Sequence, residues 1–386
     1  MVDIYEPILE ELKARHVYKY ETFGPFYVCS FACHFFNLHN RKHEVYFEAR
    51  EIPSLRMHIL FVAPAGWSKS FYMKQFLQGK YAIFRGTGLN YGFELTITEA
   101  GFVGTIRQEM GEILVIDGAA KIYSDGILGI DEFSAIIKAL QQQHSTLLDT
   151  QLLAALDHGL VCKRLGAGKI EYETQLTLWA GVQPARFDLT SGMGRRFIYL
   201  AFFPTHNEAD ELMEAWWKSK NIKPNTSELD KLRNRIRQFI KDIKTIRQVD
   251  FSDSILREYQ RLGLFPFEGT YFDRLLIGYH LAAYGPEKKV YIDLNDLELR
   301  RLINLELQWR RQIMLDAEAS QLAAIIKSFG GSIERQRLME ECIMLGLDIR
   351  KVGSILDNMR KNGLIMVKGG TIYLKPSSLS QPHNLP

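Results

Sequence analysis

Between residues 56 and 205, short β-rich apolar runs alternate with helical patterns: MHILFVA, FYMKQFL, GILGI, DEFSAIIKALQQ, LLAALDHG, QLTLWAGV and RFIYLAFFP. A helix after each strand returns the chain to the same end of the sheet, so this alternation predicts an α/β fold, a parallel sheet flanked by helices. With 386 residues the chain has room for two or three domains. The divisions expected around an α/β core at 51–205 are an N-terminal helical and aromatic segment (1–50), a helical linker and lid (206–315), a small unit (316–376) and a polar tail (377–386).

Composition excludes little beyond membranes. Hydrophobic residues make up 46% and charged residues 24%, and the net charge of +3 permits a polyanionic partner only through a local basic patch. No apolar run reaches membrane-spanning length, and the N-terminus, MVDIYEPILEELK, is acidic rather than signal-like, so an intracellular protein is expected. Cys29 and Cys33 lie close to His34, His39 and His43, but no second cysteine pair follows. Reduced, half-buried thiols are expected there rather than zinc.

The stretch 59–77, ILFVAPAGWSKSFYMKQFL, has the order of a phosphate-binding loop: an apolar strand, a small-residue turn, then lysine and a hydroxyl at a helix start. Its cofactor-binding candidates are Ala63, Pro64, Ala65, Gly66, Trp67, Ser68, Lys69 and Ser70. Two glycines of the usual pattern are replaced, by Ala63 and Ser68, and a plain polar turn is the alternative. An ATPase also needs an acidic pair at the end of a buried strand. GILGIDE supplies Asp131, with Ser70, for Mg²⁺ and Glu132 as general base; an acidic first turn of a helix is the alternative. Gln183 ends the run TLWAGVQ, where an amide can hold the attacking water. Arg195 and Arg196 precede the next strand, as a trans-acting arginine or as surface charge.

Taken in order, these pieces resemble the AAA+ motor of the minichromosome maintenance (MCM) helicases, whose phosphate loop ends Ala-Lys-Ser where this chain has Ser68-Lys69-Ser70. TEAGFVGTIRQE (98–109) and the stretch to Asp131 and Glu132 are similar to the family's helix-2 insert and Walker B strand. Residues 152–184 resemble its presensor-1 hairpin and sensor-1 strand, and the resemblance spans about 56–310. It implies a DNA helicase or helicase motor core that hydrolyses ATP with Mg²⁺ in a hexameric ring. Glu132, Asp131 and Gln183 would act in one subunit, and Arg196 and Arg274 (sensor 2) would reach the γ-phosphate at a neighbour's site. Lys163, Arg164 and Lys169 of the hairpin would meet single-stranded DNA in the pore, which the insert 111–126 would also line. The chain departs from the family in Gln183 for asparagine, in Arg195 for serine, in a longer hairpin, and in having only about fifty residues before the motor.

From residue 316 the order is helix, short strand, two helices and two strands around a Lys-Gly-Gly turn, which is the order of a winged helix. Arg350, Lys351, Arg360 and Lys361 on its third helix, with Lys368 in the wing, would contact duplex phosphates, or stay solvated on a domain that packs on protein. Two further functional classes stay open: an ATP-switched DNA-binding initiator or loader that does not unwind, and an ATP-binding structural protein whose catalysis has lapsed.

Overall fold

The computed structural model describes residues 2–109, 112–133, 152, 154–165, 168–184, 196–220, 222–264, 266–314, 317–345, 347, 349–361 and 364–375. Five parallel strands form the central sheet: β1 (His58–Val62), β2 (Asn90–Glu94), β3 (Gly126–Ile130), β4 (Thr177–Val182) and β5 (Phe197–Ala201). Their order across the sheet is β2-β3-β4-β1-β5. Helices cover the sheet, so the expected parallel α/β fold is present. β1, β3, β4 and β5 are buried along their whole length, which is why each reads as a continuous apolar run rather than an alternation. β2, with the sequence NYGFE, is a polar edge strand whose only fully buried residue is Gly92, and it gives no strand signal in the sequence.

Helix α1 (Tyr5–Ala14) leads into α2 (Tyr20–His43), the aromatic stretch of the N-terminal segment. α2 is apolar on almost every side and is buried accordingly. It packs on the sheet through Phe23 against Phe61 and Tyr27 edge-on to Trp179. On its other flank lies helix Pro266–Tyr284, close enough that a Cβ on Gly278 would sit 2.3 Å from the carbonyl oxygen of Cys29. Cys29 and Cys33 are therefore wholly buried, not half-buried as the sequence suggested. Enclosure raises both thiols' pKa, that of Cys33 to about 12. The charged run 226–243 is an amphipathic helix that buries Leu229, Leu232, Ile236, Phe239 and Ile243.

The β5 edge is sealed by helix Leu297–Met314. Glu306 accepts a hydrogen bond from the Tyr199 N–H at 3.2 Å, and Arg310 donates to the Phe197 carbonyl at 3.0 Å. These two side chains, ion-paired and buried, take up backbone groups that would otherwise form an open sheet edge.

Two antiparallel hairpins project from the core. One pairs Gly104–Glu109 with Glu112–Asp117, the other Leu160–Leu165 with Gly168–Glu173. They lie side by side, joined by a 2.8 Å hydrogen bond from the Tyr172 hydroxyl to the Val103 carbonyl.

The C-terminal unit has its own core, built on Leu322, Ile326, Ile333, Leu338, Val352 and Leu356 among others. Helices Ala317–Ser328, Arg335–Met344 and Ile349–Lys361 accompany strands Ser332–Glu334, Ile365–Lys368 and Thr371–Leu374, the last lying between the other two. Gly369 and Gly370, at φ 59° and 83°, make the turn between the final strands. Among the described residues no helix is long and apolar enough to cross a membrane.

Candidate functional site

The loop after β1, the segment after β3 and the tip of β4 converge at the C-terminal edge of the sheet, where parallel α/β folds place their ligands. Backbone hydrogen bonds fix them to one another. Ala63 N–H donates to Val182 at 3.1 Å, Asp131 N–H to Glu94 at 2.9 Å, and Phe133 N–H to Gly181 at 2.8 Å. Gly181 has to be glycine, because a Cβ there would stand 2.5 Å from the Asp131 carbonyl oxygen.

The loop 63–68 feeds helix α3 (Lys69–Leu77), and Ser68, its N-cap, makes no side-chain capping bond. The first N–H groups of α3 are thus left facing the cleft, the arrangement that suits an anion. Gly66 and Ser68 both take left-handed backbone, at φ 81° and 63°, whereas Ala63 does not take a positive φ. That difference explains why alanine is tolerated at 63. Lys69 is only 6% exposed and its ammonium donates to the carbonyls of Ala63 and Pro64, both at 2.7 Å. Burial lowers its pKa to about 8, against the opposing pull of Glu132 and Asp131. Across the cleft the Gln183 amide donates to Glu132 Oε2 at 2.8 Å.

Ala65 to Ser70, Asp131, Glu132 and Gln183 line one cleft of about 700 Å³. Its other wall carries residues the sequence reading missed: His16 and Tyr18 from the turn between α1 and α2, and Leu212, Met213 and Trp216 from helix His206–Ser219. The two parts of that wall are tied together, since the Tyr18 hydroxyl donates to Glu211 at 2.7 Å and Lys19 pairs with Glu208. Trp216 is 50% exposed and Lys220 lies over its ring at 3.7 Å. The available signal was the adjacent tryptophans, Trp216 and Trp217, on a helix that also carries four Asp and Glu residues.

Arg196 and Arg274 do not line this cleft. Arg196 donates through Nε to Asp157 at 2.8 Å, and Arg274 donates to the Arg56 carbonyl at 3.3 Å with Asp157 acting on it electrostatically. They gather at Asp157 beside the buried Arg56, whose guanidinium holds the carbonyls of Ala155, Leu156, Asp157 and Leu176. Arg195 lies outside the described residues.

The hairpin cations do not share one face. Arg164 and Lys169 stand directly opposite each other across the ladder, while Lys163 pairs with Ile170 and so points to the other face. Lys169 is also ion-paired with Glu171. In the neighbouring hairpin, strand Glu112–Asp117 exposes Leu114, Val115 and Ile116, and the following Lys121 pairs with Asp117, so the described surface there is largely apolar.

In the C-terminal unit Arg350, Lys351, Arg360, Lys361 and Lys368 are all exposed. Val352, Ile355, Leu356 and Met359 take the inner face of helix Ile349–Lys361. Arg350 and Lys361, about three turns apart, share the outer face, with Arg360 and Lys351 on opposite flanks. Searches against family models and curated proteins return no match to this chain.

Proposed function

We propose that this chain is an ATPase of the AAA+ type acting on DNA, similar in plan to the MCM helicase motor and carrying a winged helix at its C-terminal end. The observation that carries the reading is the convergence of Lys69, Ser70, Asp131, Glu132 and Gln183 on one cleft, at the C-terminal edge of a sheet ordered β2-β3-β4-β1-β5. Uncapped α3 N–H groups and a buried ammonium fit the phosphates. The wall that carries Met213 and Trp216 together with His16 and Tyr18 fits a nucleobase.

Within that reading the Lys69 ammonium meets the phosphate charge in competition with its loop carbonyls. Glu132 accepts the proton of the attacking water as its oxygen bonds to the γ-phosphorus, and Gln183, already bonded to Glu132, orients that water. The bond from phosphorus to the bridging oxygen then breaks. One hydroxyl and one carboxylate, Ser70 and Asp131, are a donor set that suits Mg²⁺, which when bound neutralises phosphate charge. Arg196 and Arg274 lie outside the cleft, on Asp157 and the Arg56 carbonyl, so a role at a neighbouring subunit's nucleotide in a hexameric ring would require them to leave those partners.

The test is ATP hydrolysis with and without DNA. Lys69→Ala is expected to lose nucleotide binding or turnover, and Glu132→Gln to bind nucleotide and lose at least a hundredfold in rate, on the order of one general base. Hydrolysis by Glu132→Gln at the parent rate would remove the assignment. A second reading, an ATP-switched initiator or loader that does not unwind, draws support from the apolar insert and the Lys169–Glu171 pair, which leave less basic surface for gripping a strand. A strand-displacement assay separates the two.

A further inference from the structure

The cleft and the C-terminal unit meet at Trp67. Among the described residues it alone packs against both hydrophobic cores, that of the sheet with its helices and that of the C-terminal unit. Its indole stands edge-on to Phe202 at 6.0 Å, and it also lines the cleft. From the other side helix Ala317–Ser328 presents Ala323 to its own core and Ala324 to the core of the sheet.

Trp67 is flanked in the loop by two left-handed residues, Gly66 and Ser68, so its position is tied to the loop's backbone path. That path is set in part by Lys69, whose ammonium bonds to the carbonyls of Ala63 and Pro64. The ammonium has three N–H donors and two are taken by these carbonyls, so a phosphate that accepts more than one of them competes with the loop's own bonds. The loop whose bonds a nucleotide would compete with is therefore the loop on which the C-terminal unit is seated.

We propose that the C-terminal unit, through Trp67, holds the phosphate loop in the conformation that keeps Lys69 on its own carbonyls, so that nucleotide binding and seating of the unit oppose each other. The inference rests on the nucleotide-binding reading above. Trp67 is a positioning residue in this scheme. Because coupling is reciprocal, the factor by which nucleotide loosens the unit is the factor by which the seated unit weakens nucleotide binding.

The full chain is titrated with a fluorescent ADP analogue and Mg²⁺, and amide hydrogen exchange is followed across 317–328 and 371–374. Saturating nucleotide is expected to speed exchange in 317–328 several-fold. Ala324→Glu, which puts a charge into the seat without touching the loop, is expected to exchange fast with or without nucleotide and to bind the analogue about 5-fold or more tighter. Trp67→Phe, a milder change that keeps a ring in the seat, is expected to fall between the two and guards against misfolding of the charged variant. If the parent binds the analogue and exchange in 317–328 does not change, the coupling is overturned while the nucleotide site stands. If Ala324→Glu or Trp67→Phe exchanges fast yet binds with parent affinity, the coupling is likewise overturned. If the parent binds no nucleotide, both readings fall together.

Discussion

Ser68 holds a conformation that suits glycine better, with φ 63° and ψ −4°. A side chain in left-handed backbone costs roughly 1 kcal/mol, so Ser68→Gly is expected to stabilise the fold by up to about that amount, less the entropy glycine adds to the unfolded chain. Denaturant unfolding measures it; a loss of stability would mean that the serine makes a compensating contact. Lys69 gives a second residue-scale prediction. Its pKa, lowered to about 8 by burial, means that above pH 8 the protein without ligand holds a growing fraction of neutral amine at this position. Under the proposed nucleotide-binding role, phosphate favours the ammonium, so nucleotide affinity is expected to fall as pH rises through 8, with proton uptake on binding. Calorimetry in buffers of different ionisation enthalpy reads that uptake, and its absence at pH 9 would place the lysine away from the phosphate.

At the scale of elements, the buried Glu306–Arg310 pair does for β5 what a sixth strand would do, by bonding Tyr199 N–H and the Phe197 carbonyl. Removing one partner strands the other. Arg310→Met is expected to cost about 3–5 kcal/mol, the usual penalty for breaking a buried pair. Adding Glu306→Gln should recover part of the loss by removing the uncompensated charge. If the double variant is no more stable than Arg310→Met, the pair is not coupled. The hairpin 160–173 teaches a related lesson about register: counting Lys163, Arg164 and Lys169 as one basic set ignored the period of two, which sends Lys163 to the opposite face.

For the whole molecule, pH stability depends on buried histidines. His34 bonds to Thr177 at 2.9 Å and to the Asp125 carbonyl at 3.2 Å, and His58 accepts from Leu178 N–H at 3.0 Å while facing the Leu156 carbonyl. Burial lowers the pKa of both, that of His34 to about 4. The unfolded chain takes up their protons below about 6.5 and the native state does not, so stability is present above that pH and is lost as pH falls towards 4. For His34 alone the loss is on the order of 3 kcal/mol. Asp273, whose burial pushes its carboxyl up to about 6, works in the opposite sense, losing stability as pH rises through 6. The histidines outnumber it, so net destabilisation between pH 6.5 and 4 is expected, and His34→Gln should flatten the slope in that window. An unchanged slope in urea titrations would exclude His34 as its source.

The α/β class, four of the five sheet strands and the loop that runs from β1 into α3 were legible because they follow local rules: continuous apolar runs for buried parallel strands, and a small-residue turn before a helix. β2 was not, because an edge strand need bury only part of one face and NYGFE carries no apolar period. The N-terminal segment was opaque for the opposite reason. A helix buried on all sides has no amphipathic stripe to reveal it, and that His16 and Tyr18 line the cleft depends on α2 threading between the sheet and helix Pro266–Tyr284. The order of the strands, the distance of Arg196 and Arg274 from the cleft, and the meeting of two cores at Trp67 likewise depend on contacts between residues far apart in the chain. The sequence by itself determined which apolar runs become the buried strands and which chemical groups end them. Only the tertiary structure decided which of those groups share a cleft, because side-chain direction and long-range packing are set when the elements close on one another.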